Sequence, residues 1–188
     1  MNKKQDIAEE EEYIVYTADG EPLRIIKKEE AKHLPDHEWL QGVTCFVINQ
    51  EGKVLVETRE NTQEDAGMFD LCSGHVNYGE MTTHAVVREL REELSIPFEI
   101  ACNVKKIMDL TSVTKGNQHF FVTVYALFLG DYNIQYEAEE IADITYKSRE
   151  ETYALLRQNQ LRIQYNEKWE EVFTKIENIC AEKGIKKS

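Results

Sequence analysis

The chain has 188 residues, of which 41% are hydrophobic and 10% aromatic, and this is enough for one folded domain with a core. Its formal net charge is −13, which disfavours nucleic-acid backbones and anionic membranes as partners because no basic surface compensates that charge. A phosphate substrate stays compatible with an acidic chain, since a bound metal ion reverses the local sign.

The cysteine pattern indicates neither a zinc site nor a disulfide framework. Four cysteines are spread along the chain, at Cys45, Cys72, Cys102 and Cys180. None lies close to another in sequence, and a chain of this length does not need disulfides for stability. The sequence also has no apolar N-terminal run and no 18-residue apolar segment. We therefore expect a soluble protein of the reducing cytoplasm.

The N-terminal part predicts a short extension ahead of the main domain. Residues 1–12 are charged and predict a flexible acidic tail. Two short strands at 13–16 and 23–26 are predicted to form a hairpin, because a turn signal at 18–21 separates them. Residues 27–37 then predict a short helix that breaks near Pro35.

The remainder of the chain predicts an α+β domain. Strands are predicted at 42–48, 53–59, 68–75, 104–113, 119–129 and 141–147, and helices at 82–94, 148–158 and 166–182. The segment at 119–129 (HFFVTVYALFL) is apolar nearly throughout, so we expect a central strand that is covered on both faces. This order predicts helices packed on a mixed sheet, in a single domain that spans residues 13–188.

The helix predicted at 82–94 is amphipathic in an unusual way. At about 100° per residue, its core-facing stripe consists of Val87, Leu90 and Leu94. The opposite face carries Glu89, Glu92 and Glu93, at i, i+3 and i+4. Carboxylates crowded in this way repel each other unless a cation neutralises them, and Mg²⁺ prefers oxygen ligands. The alternative is a solvated, glutamate-rich helix face.

The spacing around this helix resembles the signature of the Nudix hydrolases. It reads G, five residues, E, seven residues, then R-E-aliphatic-x-E-E-x-x-aliphatic. The fixed positions are met by Gly74, Glu80, Arg88, Glu89, Leu90, Glu92, Glu93 and Ile96. The family pattern has a glycine where this chain has Ser95. The resemblance implies an α/β/α sandwich whose core spans about 42–158.

The resemblance implies a metal-dependent hydrolase that cleaves a diphosphate linkage in a nucleotide-type or related small substrate. Mg²⁺, with Mn²⁺ as the alternative ion, would be bound by the carboxylates of Glu89, Glu92 and Glu93 and by the carbonyl oxygen of Gly74. Catalytic roles are implied for three residues of the motif, namely Glu92, Arg88 and Glu80. Arg88 would hold the carboxylates in place by charge pairing, and Glu80 would support the loop.

A general base is expected outside the motif, because the family often takes it from a later glutamate. Three candidates follow the long apolar strand, at Glu137, Glu139 and Glu140, and we favour the last two. A charged surface loop is the alternative interpretation of these glutamates.

Arg59 and His75 are the candidates for substrate binding. By resemblance, an arginine at the end of the strand that contains Arg59 lies near the phosphates and can contact one of them bidentately. His75 follows Gly74 and is within reach of the site, although a structural histidine is the alternative. Aromatic residues that could stack on a nucleobase, with a place in the core as the alternative, are Phe46, Tyr78 and Phe120.

The front of the chain is similar to isopentenyl-diphosphate isomerases and their hydrolase relatives. Isomerases carry a catalytic cysteine directly before the Gly-His pair of the loop, and here that position is Ser73. Cys72 is one residue away, which in a strand points its side chain to the other face. We therefore predict hydrolysis, with isomerisation or a non-catalytic Nudix ligand-binding module as alternatives. A homodimer is left open, since no feature of the sequence specifies one.

Overall fold

The computed structural model describes residues 11–60, 66–114, 117–130, 132–136 and 141–185. The strands within these ranges are β1 (Glu12–Tyr16), β2 (Pro22–Lys27), β3 (Trp39–Asn49), β4 (Val54–Arg59), β5 (Phe69–Asp70), β6 (Cys72–His75), β7 (Lys105–Val113), β8 (His119–Gly130) and β9 (Ile141–Lys147). The helices are α1 (Lys28–Ala31), α2 (Thr82–Glu92), α3 (Phe98–Ala101), α4 (Arg149–Arg157) and α5 (Lys168–Glu182).

Strand β3 organises the sheet. It pairs in parallel with β8, from Trp39 opposite His119 to Asn49 opposite Gly130. Its other partners β1, β4 and β6 run antiparallel to it, as do β7 against β8 and β9 against β4. The sheet is therefore mixed, as the sequence predicts, and β8 lies in its interior between β3 and β7.

Helices cover both faces of this sheet, and alternate residues of β3 supply the two apolar layers. Phe46 and Ile48 belong to the core layer that also contains Trp169 of α5. Cys45 and Val47 belong to the other layer, where Leu90 of α2 is completely buried. This arrangement is an α/β/α sandwich, and it confirms the predicted fold class.

The structure corrects the extent of two predicted elements. The helix expected over 27–37 is only α1, because Pro35 disfavours helical backbone at the residue before it. The strand expected over 68–75 is divided at Leu71 into β5, which pairs with β4, and β6, which pairs with β3. The amide of Leu71 donates to Oδ1 of Asp70 (2.9 Å), so a side chain replaces a partner from the sheet there.

The N-terminal hairpin is present as predicted, with Tyr13 opposite Ile26. Glu12, which the sequence analysis placed in the tail, is instead the first residue of β1. Its carbonyl oxygen accepts a hydrogen bond from the amide of Tyr78 (2.6 Å), which ties the extension to the loop before α2. Residues 1–10 of the expected tail lie outside the described residues.

The structure also corrects the end of the helix that was predicted over 82–94. The helix ends at Glu92, and Ser95 adopts a left-handed backbone with φ 48°. The amide of Ile96 then donates to the carbonyl of Leu90 (3.1 Å) and closes the turn. Pro97 precedes α3, a short helix that the sequence analysis did not predict.

The C-terminal helices follow the prediction closely. The amide of Glu151 donates to Oγ of Ser148 (3.1 Å), and the amide of Ser148 donates to Oε2 of Glu151 (2.8 Å), which together form a capping box at the start of α4. Among the residues that the structure describes, no helix has the length and the apolar composition that a membrane-crossing segment requires.

Candidate active site

A cleft of about 560 Å³ lies beside α2 and is lined by charged residues of both signs. We call the lining glutamates of α2 and its C-terminal end the acidic set: Glu89, Glu92 and Glu93. We call the lining cations from elsewhere in the chain the basic set: Lys28, Lys32, Arg59 and Arg162. Ser73, Gly74 and His75 of β6 line the cleft as well. Both a cation and a polyanion therefore find complementary charge in one cavity.

Arg88 connects the loop before α2 to the acidic set. Its Nε and Nη2 donate to the two carboxylate oxygens of Glu80 (3.2 and 3.1 Å), and Nη2 also donates to the carbonyl of His75 (2.9 Å). Its Nη1 donates to Glu89 (2.8 Å) and to Glu92 (3.1 Å). Burial works against the cation, but these carboxylates raise the pKa of Arg88 further. These are the contacts expected of a residue that holds the carboxylates in place, and that role stays a prediction.

Gly74 has no side chain because the carboxylate of Glu89 occupies that space. A Cβ at position 74 would lie 1.8 Å from Oε1 of Glu89, so any other residue would displace this side chain. The carbonyl oxygen of Gly74 points toward β3, because it lies 3.3 Å from the position that a Cβ of Gly42 would occupy. Its predicted role as a metal ligand stays a prediction.

The three glutamates of the acidic set lie in different environments. The side chain of Glu92 is 59% exposed, whereas that of Glu89 is 12% exposed. Burial raises the pKa of Glu89 to about 7, even though Arg88 works in the opposite direction. The carboxylate of Glu93 is buried, and this burial together with the charges of Glu57 and Glu89 raises its pKa well above its usual range.

The helical wheel placed Glu93 beside Glu89 and Glu92, and all three residues line the cleft. Glu93 keeps helical backbone (φ −75°, ψ −44°), and its amide donates to the carbonyl of Glu89. The wheel did not indicate that Glu93 also lies beside residues of the sheet. The ligand atoms of Glu93, Glu57 and Cys72 lie within 4.8 Å of one another.

Arg59 and Arg162 reach the cleft from distant parts of the sequence and share a buried partner. Their Nη1 atoms lie 3.7 and 4.0 Å from Oδ2 of Asp70, whose residue is 2% exposed. Burial raises the pKa of Asp70, and the two arginines oppose that shift. The backbone amide of Arg162 donates to the carbonyl of Phe69 (3.0 Å), which fixes the segment that follows α4 beside β5.

Sequence reasoning found Arg59 but missed Arg162. The segment that contains Arg162 has no motif, and a lone arginine more than sixty residues after the Nudix helix carries no signal of its position. Isolated bridges on either side of Arg162, between Phe69 and Leu161 and between Thr114 and Ile163, hold this segment beside the cleft.

The N-terminal extension also contributes to the cleft. Nζ of Lys28 lies 2.6 Å from Oε2 of Glu11, and both residues line the cavity together with Lys32. The side chain of Gln118 donates to the carbonyl of Ala31 (2.8 Å) and joins α1 to the start of β8. The extension therefore forms part of the substrate-sized cavity.

His75 lines the same cleft, but its ring is packed between aromatic residues. It stacks on Tyr13 with centroids 4.6 Å apart and an interplanar angle of 14°, and its centroid is 5.4 Å from that of Phe120. Burial lowers the pKa of His75 to about 4, so the ring is neutral near pH 7. This packing favours the structural alternative for His75, and its predicted contact with substrate stays a prediction.

The other candidates divide between described and undescribed parts of the chain. Phe46 is fully buried, which agrees with its alternative as a core residue, whereas Tyr78 is 55% exposed. The candidate bases Glu139 and Glu140 lie outside the described residues, as does Glu137. The prediction of a general base among them is therefore untested.

Residues 38–169 match the family model described as NUDIX domain. This chain belongs to the Nudix family. The Nudix match includes the acidic set, Arg59 and Arg162, whereas Lys28 and Lys32 of the extension precede it. A curated relative, the CTP pyrophosphohydrolase of Escherichia coli (strain K12), is 39% identical over 54 residues. That match covers 29% of this chain and only 40% of the relative.

Solved Nudix-like structures share the fold at low sequence identity. DR0079 from Deinococcus radiodurans superposes with a TM-score of 0.66 and 17% identity, over 88% of this chain and 99% of that protein. A MutT protein from Methanosarcina mazei Go1 superposes with a TM-score of 0.57 and 19% identity, over 75% of this chain and 94% of that one. These likenesses show the fold, and the partial match to the pyrophosphohydrolase supports the predicted enzyme class.

Proposed function

We propose that this protein is a metal-dependent Nudix pyrophosphohydrolase that cleaves a diphosphate linkage in a nucleotide or a related small molecule. The observation that carries the proposal is the presence of the acidic and the basic set in one cleft. Cleavage of a diphosphate needs neutralisation of the phosphate charge and a positioned water, and these two sets suit both needs. The partial relationship to a CTP pyrophosphohydrolase supports the same class of reaction.

The residues of the acidic set fit a hard divalent cation. Glu89 is held against Gly74 and by Arg88, so its carboxylate is already placed, and Glu92 is open to solvent. We propose Mg²⁺, with Mn²⁺ as the alternative, at Glu89, Glu92 and Glu93. Such an ion neutralises charge on phosphate oxygens and lowers the pKa of a water molecule. It also relieves the repulsion among carboxylates that burial has made costly.

The basic set is proposed to orient the substrate. Arg59 and Arg162 share Asp70, so their guanidinium groups are held near each other, and an arginine can bind a phosphate through two parallel hydrogen bonds. The lysines of the extension add cationic charge at the same cavity. Water then attacks phosphorus and loses its proton to a carboxylate base, for which Glu139 or Glu140 remains our proposal. The bridging P–O bond breaks, and the other phosphate-bearing half leaves with the bridging oxygen.

Hydrolysis is favoured over isomerisation by the position of the thiols. Ser73, at the position of the isomerase cysteine, lines the cleft, and its hydroxyl donates to Asp70 (3.4 Å). Cys72 is buried in the layer under α2, and none of the described residues that line the cleft is a cysteine. Membership of the isopentenyl-diphosphate isomerase-like hydrolase subgroup and a cytoplasmic location are part of this proposal, on the sequence features given above.

A substrate panel tests the proposal directly. The full-length protein would be incubated with Mg²⁺ or Mn²⁺ and with nucleoside triphosphates including CTP, nucleoside diphosphate sugars, dinucleoside polyphosphates, oxidised nucleotides and isopentenyl diphosphate. We expect metal-dependent cleavage of a diphosphate bond in at least one compound, seen by chromatography of the products. Conversion of isopentenyl diphosphate to dimethylallyl diphosphate would contradict the hydrolase. Absence of any turnover would favour the non-catalytic ligand-binding module.

A further inference from the structure

A cluster of three metal-ligating side chains lies in the interior beneath α2. Glu57 comes from β4, Cys72 from β6, and Glu93 from the residue that follows α2. One carboxylate oxygen of each glutamate and the sulfur of Cys72 lie within 4.8 Å of one another. Glu57 is 4% exposed and Cys72 is 1% exposed. Glu57 and Cys72 are not fixed positions of the Nudix motif, so the motif does not account for the cluster.

Glu93 contributes an oxygen to this cluster that the protein does not satisfy, although the thiol of Cys72 interacts with the same carboxylate. Its Oε2 atom is shielded from solvent and has no hydrogen-bond partner among the described residues. Arg88 holds the other two glutamates of the acidic set, and its contacts with described residues do not include Glu93. A buried carboxylate oxygen without a hydrogen-bond partner destabilises the fold, so a ligand that satisfies it would be stabilising.

The chemical type of the donor atoms indicates which kind of metal ion this cluster would bind. A sulfur and two carboxylate oxygens form a mixed set that suits zinc-type ions, whereas Mg²⁺ takes oxygen ligands alone. Around a tetrahedral zinc ion with ligand bonds of about 2.0–2.3 Å, donor atoms lie about 3.3–3.8 Å apart. The donor atoms of the present cluster would have to approach one another by at most about 1.5 Å, which side-chain rotations supply.

We propose that Glu57, Cys72 and Glu93 form a buried binding site for one divalent transition ion of the zinc type. This site is a second one beside the proposed Mg²⁺ site, and Glu93 belongs to both. The ion would replace the thiol proton and place a double positive charge among side chains that carry up to three negative charges when ionised. A water molecule would complete four ligands.

Because both proposed sites use Glu93, an ion in the buried site should affect turnover. This inference rests on the proposed hydrolase activity. When a zinc-type ion binds in the interior, the carboxylate of Glu93 is drawn away from the cleft and the acidic set is left with Glu89 and Glu92. Zinc-type ions are therefore expected to oppose Mg²⁺-dependent turnover at concentrations that fill the buried site.

Cobalt absorbance tests the binding without any turnover. The full-length, metal-free protein would be titrated with Co²⁺ in the presence of excess Mg²⁺, and the near-ultraviolet band of a cobalt–thiolate bond would be recorded. We expect a saturable band that is lost in Cys72→Ser and kept in Cys102→Ser, since Cys102 is exposed. Absence of the band in the wild-type protein, or its survival in Cys72→Ser, would overturn the proposal.

A second variant keeps the test decisive if Cys72→Ser does not fold. Glu57→Gln retains the thiol and the band, but we expect its Co²⁺ affinity to fall at least ten-fold because one anionic ligand is lost. Unchanged affinity would exclude Glu57 from the site. For an identified substrate, inhibition by Zn²⁺ should weaken in parallel in Glu57→Gln, and inhibition equal to wild type would refute the shared role of Glu93. Because the absorbance needs no substrate, failure of the site and failure of the hydrolase are distinguishable.

Discussion

The acidic set and the basic set line one cleft but arise in opposite ways. The acidic set and its supports come from one continuous stretch, residues 74–93, in which a glycine, an arginine and a helix fix the carboxylates. The basic set is drawn from α1, the end of β4 and the segment after α4, which meet only in the folded chain. The proposed metal site is thus encoded locally, whereas the proposed contact with the rest of the substrate depends on tertiary structure.

The two sets also differ in how they are neutralised. Burial raises the pKa of Glu89 to about 7 and that of Glu93 well above its usual range, so the acidic set is under-compensated by protein groups alone. Arg59 and Arg162 of the basic set, in contrast, have the buried carboxylate of Asp70 between them. The first set is therefore prepared for an added cation, and the second is held in position before an anion arrives.

The largest expected effect comes from breaking the acidic set. Glu89→Gln removes one negative charge at the proposed Mg²⁺ site while the side chain keeps its shape against Gly74, and kcat should fall by about 10³-fold or more, which is about 4 kcal/mol. Steady-state kinetics on a substrate from the panel would measure the fall in kcat, and a Mn²⁺ titration would measure the loss of metal affinity. Glu182→Gln, at the exposed end of α5, is the matched control. Wild-type turnover in Glu89→Gln would remove the acidic set from the mechanism.

A pH experiment addresses His75, which lies on the cleft between the two sets. The folded protein lowers the pKa of His75 from 6.5 to about 4, so between these values the unfolded chain binds more protons. The contribution of the neutral His75 ring to the free energy of unfolding is therefore fully present above pH 6.5. It decreases by about 3 kcal/mol as the pH falls toward 4. Denaturant unfolding of wild type and His75→Phe at several pH values would measure this difference.

The pH dependence of stability should be compared between wild type and His75→Phe and not taken from wild type alone. Glu89 contributes a pH dependence of the opposite sign over a similar pH range, because its pKa is raised in the folded protein, and the comparison removes this contribution. We expect the free energy of unfolding of wild type, relative to His75→Phe, to fall as the pH is lowered from 7 to 4. A constant difference would mean that His75 has the same pKa in the folded and the unfolded protein, so that the folded protein could protonate the ring below that pKa and bind phosphate with it. That outcome would move His75 from the packing of the cleft into the basic set.

A smaller effect is expected from the basic set itself. Arg162→Ala removes one guanidinium from the cleft while the acidic set is untouched, so KM should rise about ten-fold, or about 1.4 kcal/mol, with kcat nearly unchanged. The exposed Arg91 of α2 provides the control variant Arg91→Ala, which lowers the net charge equally. A fall of kcat rather than a rise of KM in Arg162→Ala would show that the two sets do not act separately.

The local origin of the acidic set explains why sequence reasoning reached it. Periodicity gave the buried stripe of α2, and spacing from Gly74 to Ile96 gave the family, because both are properties of one short segment. The order of strands and helices was predictable for the same reason. The separate partners of β5 and β6 were not predictable from the sequence. The strand predicted over 68–75 is interrupted at Leu71, where the amide donates to the side chain of Asp70.

The remote origin of the other contacts explains what sequence reasoning missed. Arg162 is held at the cleft by contacts of its segment with Phe69 and Thr114, and Glu57 of β4 meets Glu93 in the folded chain. No pattern in a single sequence encodes such pairings. The contact of Glu93 with Glu57 and Cys72 was missed for the same reason, since a helical wheel describes one segment and not the strands beside it.

The smallest expected effect concerns the turn that follows α2, where the family pattern has glycine. Ser95 is left-handed, a conformation that is unfavourable for residues with a Cβ by roughly 1 kcal/mol, and its side chain is exposed. Ser95→Gly should therefore raise the free energy of unfolding by about 0.5–1 kcal/mol, and Ser95→Ala, which keeps the Cβ, should not. Denaturant unfolding of both variants would measure the difference. The rest of α2 is fixed by buried residues such as Leu90 and Leu94, so kcat should be the same in both. A change of kcat with Ser95→Gly would instead mean that the strained turn positions Glu93, and the acidic set would then depend on tertiary geometry as much as the basic set does.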